Sequence, residues 1–215
     1  MLYIFGDSLS TACDLSEDQG WAYKLANKLN TDYINLAQVA ADNFYIYSSY
    51  LSVKNKINQD DIVIVGWTHP SRKSFVYDCE NPNHIAALDN GLQYQVGNRL
   101  LFRSFNPTGD SQHKWSTLTP KSTGKGFFDV WFRDYYSDFE QQCHLQSYHD
   151  SVKLTCAGKY IPFFFSKLSI KDLDITGVAT ALEFITDNKV FINENNMHFN
   201  DHGHSLWAEL IYKTI

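Results

Sequence analysis

Residues 62–65 read Ile-Val-Ile-Val, a β-branched run entered from Asp60-Asp61 and left at Gly66. A strand that is apolar on both faces needs cover on both, which is the situation of a parallel sheet with helices on either side. The neighbouring sequence supplies those helices. Residues 2–5 are a short apolar run stopped by Gly6. Trp21, Leu25 and Leu29, with Ala22 and Ala26 beside them, make one apolar helix stripe. Residues 33–37 give a further strand, and Asp42 stands where it can cap a helix running towards Lys56 with Tyr47, Tyr50 and Leu51 inward. Strand–helix–strand–helix–strand over residues 1–66 predicts an α/β sheet with right-handed crossovers. The alternation resumes near residue 134, with a helix over 135–157, an aromatic strand over 160–165, a short last strand over 190–192 and a closing helix over 201–215. In that last helix Leu206, Leu210 and Ile211 share a face. The expected architecture is a three-layer α/β/α sandwich around a mostly parallel sheet of about five strands.

Residues 73–133 break the rhythm with Pro82, Pro107, Pro120 and five glycines among scattered aromatics. They read as a long insertion on the rim of the sheet, serving either as a lid or binding loop or as an irregular cap over the core. With 215 residues the chain is long enough for one domain, 1–215, with its own core.

The formal net charge of −6 argues against a general nucleic-acid binder. Cys13, Cys79, Cys143 and Cys156 form no C-x-x-C pair, as expected of reduced thiols in a cytoplasmic protein. The start reads as a strand rather than a signal peptide, and no apolar run is long enough for a membrane span. His198, His202 and His204 with Asp201 lack the H-E-x-x-H pattern, so metal ligation is not expected, and His202 and His204 read as surface or helix-start residues. The oligomeric state is left open.

The chemistry centres on Gly6-Asp7-Ser8-Leu9-Ser10, directly after the first strand. Ligands of open α/β sheets sit at the carboxyl ends of the strands, and backbone N–H groups of a following turn can face a developing oxyanion. Taken alone, the same residues suit a turn capped by Asp7 and Ser8.

Four blocks in order resemble the SGNH (GDSL-type) hydrolase family. Ile4-Phe5-Gly6-Asp7-Ser8-Leu9-Ser10 looks like its first block, and Ser8 falls on the nucleophile, whose own N–H is one oxyanion donor. Asn35-Leu36-Ala37-Gln38-Val39-Ala40-Ala41-Asp42-Asn43 is similar to its second block, with Ala40 at the glycine whose N–H is another donor. Gly66-Trp67-Thr68-His69-Pro70 stands at the third block, where the family has an asparagine donor. This chain has Thr68 there and His69 next to it. Arg72 follows, suited to an anionic substrate group or to pairing with an acid. The stretch from Asn195 through His198, Asn200, Gly203 and His204 to Ala208 resembles the last block, placing the general base at His198. The family's aspartate falls on Asn195, with Glu194 adjacent, and a backbone carbonyl is a third way to orient the imidazole. A rival register, Asp201 with His204, puts the pair inside the closing helix.

The resemblance implies a flavodoxin-like SGNH hydrolase fold and a serine hydrolase acting on a carboxylic ester or O-acetyl group of a small molecule or carbohydrate, without metal or organic cofactor. A binding or structural protein on the same fold and an O-acyltransferase using the same serine are the alternatives. Trp67, with Trp115 and Trp131, suits either a sugar-stacking cleft or packing between insertion and sheet.

Overall fold

A computed structural model describes residues 1–13, 15–39, 41–78, 113–118, 135–165, 180–193 and 196–215, with 73–78 and 113–118 as backbone alone. Four strands, β1 (Leu2–Phe5), β2 (Tyr33–Asn35), β3 (Ile62–Trp67) and β6 (Lys159–Phe164), form a parallel sheet in the order β2-β1-β3-β6. Between β3 and β6 lies an antiparallel pair, β4 (Lys73–Asp78) and β5 (His113–Leu118), which opens the insertion. The rest of the insertion lies outside the described residues.

The period of two along each strand divides the core. Leu2, Ile4, Ile64, Ile161 and Phe163 face α1 (Trp21–Leu29), α4 (Ala181–Asn188) and α5 (Asp201–Tyr212). Tyr3, Phe5, Val63, Val65 and Trp67 face α2 (Asn43–Val53) and α3 (Asp138–Thr155). The apolar run at 62–65 is therefore covered on both sides, as its composition demands. Asp42 caps α2, its carboxylate accepting from the Tyr45 N–H at 2.8 Å.

Two details differ from the sequence reading. The segment expected as a fifth sheet strand, 190–192, instead gives β7 (Phe191–Asn193), which pairs antiparallel with β8 (Asn196–Phe199). Its backbone pairs with β8 and not with the central sheet, which has four strands among the described residues. Leu51, expected inward, is exposed on the outer side of α2 while Tyr45, Ile46 and Tyr50 fill the core.

The ends of β1 and β3 approach closely because both carry glycine. A Cβ on Gly6 would stand 2.1 Å from Ser10 Oγ, and one on Gly66 would stand 2.3 Å from Phe163 Cζ and 2.8 Å from Ser10 Oγ. Gly66→Ala forces the Phe163 ring and the Ser10 turn to move. It is expected to destabilise by about 1–3 kcal/mol in urea unfolding, the usual cost of overpacking a filled core.

Candidate active site

Strand β1 delivers Asp7 and Ser8 to the carboxyl edge of the sheet. The turn that follows is closed by Ser10 N–H donating to Asp7 O at 3.0 Å and by the Thr11 hydroxyl donating to Ser8 O at 3.0 Å. Ser8 is 6 % exposed. Trp21, at the start of α1, fixes the turn from below: its indole N–H donates to Leu9 O at 2.8 Å.

The loop after β2 is tied to the same turn. Asn35 Nδ2 donates to Ser10 O at 2.9 Å while its Oδ1 accepts from Ala37 N–H at 3.0 Å, and Gln38 N–H donates to Gly6 O at 2.9 Å. Ala40, the expected second oxyanion donor, lies outside the described residues.

The loop after β3 is tied in by a buried polar cluster. Thr68 Oγ1 donates to Asp7 Oδ2 at 2.5 Å, and Arg72 Nη1 donates to the same oxygen at 2.8 Å and to Ala41 O at 3.3 Å. The other carboxylate oxygen, Asp7 Oδ1, accepts from Leu9 N–H at 3.0 Å. The Asn43 side chain clasps the Thr68 backbone, accepting from its N–H at 2.9 Å and donating to its carbonyl at 3.1 Å.

This arrangement sorts the third-block residues. A hydroxyl has one proton to give, and that of Thr68 goes to Asp7, not to a group outside the protein. Arg72 pairs with an acid, the second of the two roles its chemistry allowed. His69 is half-buried. Its Nδ1 meets the Ser71 N–H at 3.1 Å and the Ser71 hydroxyl at 2.6 Å, and accepting from both is the arrangement of a neutral ring protonated on Nε2. Burial, helped by the Arg72 charge, lowers its pKa and keeps the ring neutral. Trp67 is a core residue, 1 % exposed, with its indole N–H donating to Tyr160 OH at 2.9 Å. It sits in the core on the α2 and α3 side of the sheet, with no face to offer a substrate; any packing against the insertion lies outside the described residues. Trp115 and Trp131 have no described side chains.

His198 lies in β8, half-buried, immediately before the fully buried Phe199, and its N–H donates to Asn196 Oδ1 at 3.2 Å. Asn200 caps α5, its side chain accepting from Gly203 N–H at 2.8 Å. Glu194 and Asn195 lie outside the described residues. The rival pair points elsewhere. Asp201 bonds Lys24 at 2.6 Å, and His204, far from being a surface residue, is buried with Nδ1 accepting the Trp21 N–H at 3.1 Å. Trp21 thereby links the Ser8 turn to the helix that follows His198, a connection with no signal in the sequence beyond the helix stripe.

His204 also carries a pH dependence. Burial, with smaller contributions from Lys24 and His198, pushes its pKa down to about 4 from the usual 6.5. The fold binds the neutral ring, so the stability it supplies is whole above about pH 6.5 and is lost as pH falls through about 4. The loss is on the order of 3 kcal/mol. Unfolding free energies measured between pH 7 and 4 should show this decline, and His204→Gln, which keeps an acceptor but does not titrate, should flatten it.

No family model and no curated protein sequence matches the chain. Solved structures do. TesA superposes with a TM-score of 0.55 at 12% identity over 99% of this chain and 96% of that one. The psychrotrophic esterase EstA from Pseudoalteromonas sp., in a form inhibited by monoethylphosphonate, gives 0.53 at 11% identity over 99% and 94%. A protein of the G-D-S-L lipolytic group from Desulfitobacterium hafniense DCB-2 gives 0.50 at 11% over 100% and 98%. The chain has the SGNH hydrolase fold.

Proposed function

We propose that this chain is a serine hydrolase that cleaves a carboxylic ester or O-acetyl group, with Ser8 as nucleophile and His198 as general base. The observation that carries the reading is the position of Ser8: it stands at the carboxyl end of β1, in a turn bound by side-chain hydrogen bonds of Asn35, at the end of β2, and of Thr68, after β3. That is where an open α/β sheet presents reacting groups. The fold is shared with proteins whose names record esterase or lipolytic character.

In the proposed reaction Ser8 Oγ attacks the acyl carbon as its proton passes to His198, and the imidazolium then protonates the departing alcohol. The oxyanion is received by the N–H groups of Ser8 and Ala40. With the Thr68 hydroxyl given to Asp7, the side-chain donor left in the third block is His69, neutral and protonated on Nε2. Asn195 or Glu194 orients the His198 ring. Water attacks the acyl-enzyme by the reverse proton path. An O-acetylated carbohydrate is the proposed substrate class, on the ground of the aromatic residues in 73–133.

Monoethylphosphonate inhibits the Pseudoalteromonas esterase, and an organophosphorus probe is the direct test here. Fluorophosphonate treatment followed by intact-mass and peptide mass spectrometry is expected to give one adduct, on Ser8. A folded protein that takes no label over hours overturns the hydrolase reading and favours a binding protein on this fold. Labelling accompanied by acyl transfer to an added sugar, in place of release to water, identifies an O-acyltransferase.

A further inference from the structure

One nitrogen of Arg72 touches two loops that meet at the proposed oxyanion. Nη1 donates to Asp7 Oδ2 at 2.8 Å, one residue before Ser8, and to Ala41 O at 3.3 Å, one residue after Ala40. The ion pair is set deep, with Asp7 4 % and Arg72 19 % exposed in their side chains. Through its other oxygen Asp7 holds the Leu9 N–H at 3.0 Å, so the carboxylate spans the nucleophile's position from both sides. Thr68 adds the 2.5 Å hydrogen bond to the same carboxylate, and Asn43 holds Thr68 by its backbone. The loops after β1, β2 and β3 therefore converge on Asp7 and Arg72.

We propose that Arg72 is a positioning residue: acting through Asp7 and Ala41, it holds the Ser8 turn and the loop after β2 in the one arrangement that aligns nucleophile and oxyanion donors, with Thr68 serving the same carboxylate. The proposal rests on the reading of Ser8 as nucleophile. Arg72 contacts no reacting atom in this scheme. Its loss misaligns donors that must sit within hydrogen-bond reach of a developing charge, where a misplacement of about 1 Å costs on the order of a hundredfold. Because a single nitrogen makes both contacts, a lysine ammonium can make them too.

The test uses the fluorophosphonate labelling rate at Ser8 and the hydrolysis of p-nitrophenyl acetate, a neutral ester. Arg72→Met should slow labelling and kcat about a hundredfold with KM little changed, and Arg72→Lys should recover to within about tenfold of the parent. Thr68→Val should slow labelling about tenfold, and Thr68→Ser should not. Arg72→Met leaves the buried Asp7 charge without its partner, so Asp7→Asn/Arg72→Met, free of that charge, is measured beside it and should also be slow. Folded variants that label within about twofold of the parent overturn the proposal, as does a defect confined to KM for anionic esters, which would make Arg72 a substrate contact. Hydrogen exchange of the peptide spanning residues 6–12 gives a readout independent of chemistry, expected to quicken in Arg72→Met and to return in Arg72→Lys. If the parent protein takes no label, the nucleophile reading fails, and exchange alone decides the brace: a loosened turn supports it and an unchanged one overturns it.

Discussion

Ester turnover by Ser8→Ala is expected to fall by roughly a thousandfold or more, with no fluorophosphonate adduct and with the unfolding midpoint nearly unchanged. The fold grips this position by groups other than the side chain: the Ser8 carbonyl accepts from Thr11, and Asp7 and Leu9 are bonded on either side. Alanine keeps all of that and removes only the nucleophile. His198→Ala should cost a comparable factor, and the double variant little more than either, because residues that act as one unit lose the unit when either goes. Measured as kcat/KM on p-nitrophenyl acetate, additive losses would argue that the two groups do not share a proton. Retained turnover in Ser8→Ala would remove the acyl-enzyme from the mechanism altogether.

The sheet was readable from the chain because its signal is local. Ile62 to Val65 needs cover on both faces wherever it lies, and Trp21, Leu25 and Ala26 declare their stripe within nine residues. Asp42 announces its helix by standing just before it. The last strand was legible as a strand, but its partner was not, for the opposite reason. Phe191–Asn193 has a strand's composition, but composition does not say which neighbour a strand takes, and this one pairs antiparallel with Asn196–Phe199.

The site divides the same way. Gly6, Ser8 and His198 stand out as a pattern in sequence. The partners of Asp7 do not, because Thr68 and Arg72 are more than 60 residues away and reach it only through the parallel pairing of β1 with β3. Nothing local distinguishes a threonine that faces an oxyanion from one that donates to a buried carboxylate. His204 shows the same limit: in sequence it is one of three histidines near a helix start, and only the packing of α5 on α1 makes it the acceptor for Trp21, 183 residues earlier.

The packing around His198 makes a second large effect, this time on stability. Trp207 is fully buried on α5, its ring centroid 5.2 Å from Phe163 of β6, 4.8 Å from Phe184 of α4 and 5.5 Å from Phe199 of β8. It is the point where the sheet, two helices and the strand bearing His198 meet. Trp207→Ala is expected to lower the unfolding free energy by about 3–5 kcal/mol, the range for removing a large buried aromatic. Among the described residues the indole N–H has no hydrogen-bond partner, so Trp207→Phe forfeits volume and ring contacts alone and should cost less. The two variants separate packing from catalysis. Phe199 adjoins His198, so the hole left by alanine lets β8 shift and should slow Ser8 labelling even at temperatures where the protein remains folded. Phenylalanine, which still fills the gap against Phe199, should label at close to the parent rate. Equal labelling rates in both variants would mean that β7 and the cap of α5 by Asn200 suffice to hold His198 in place.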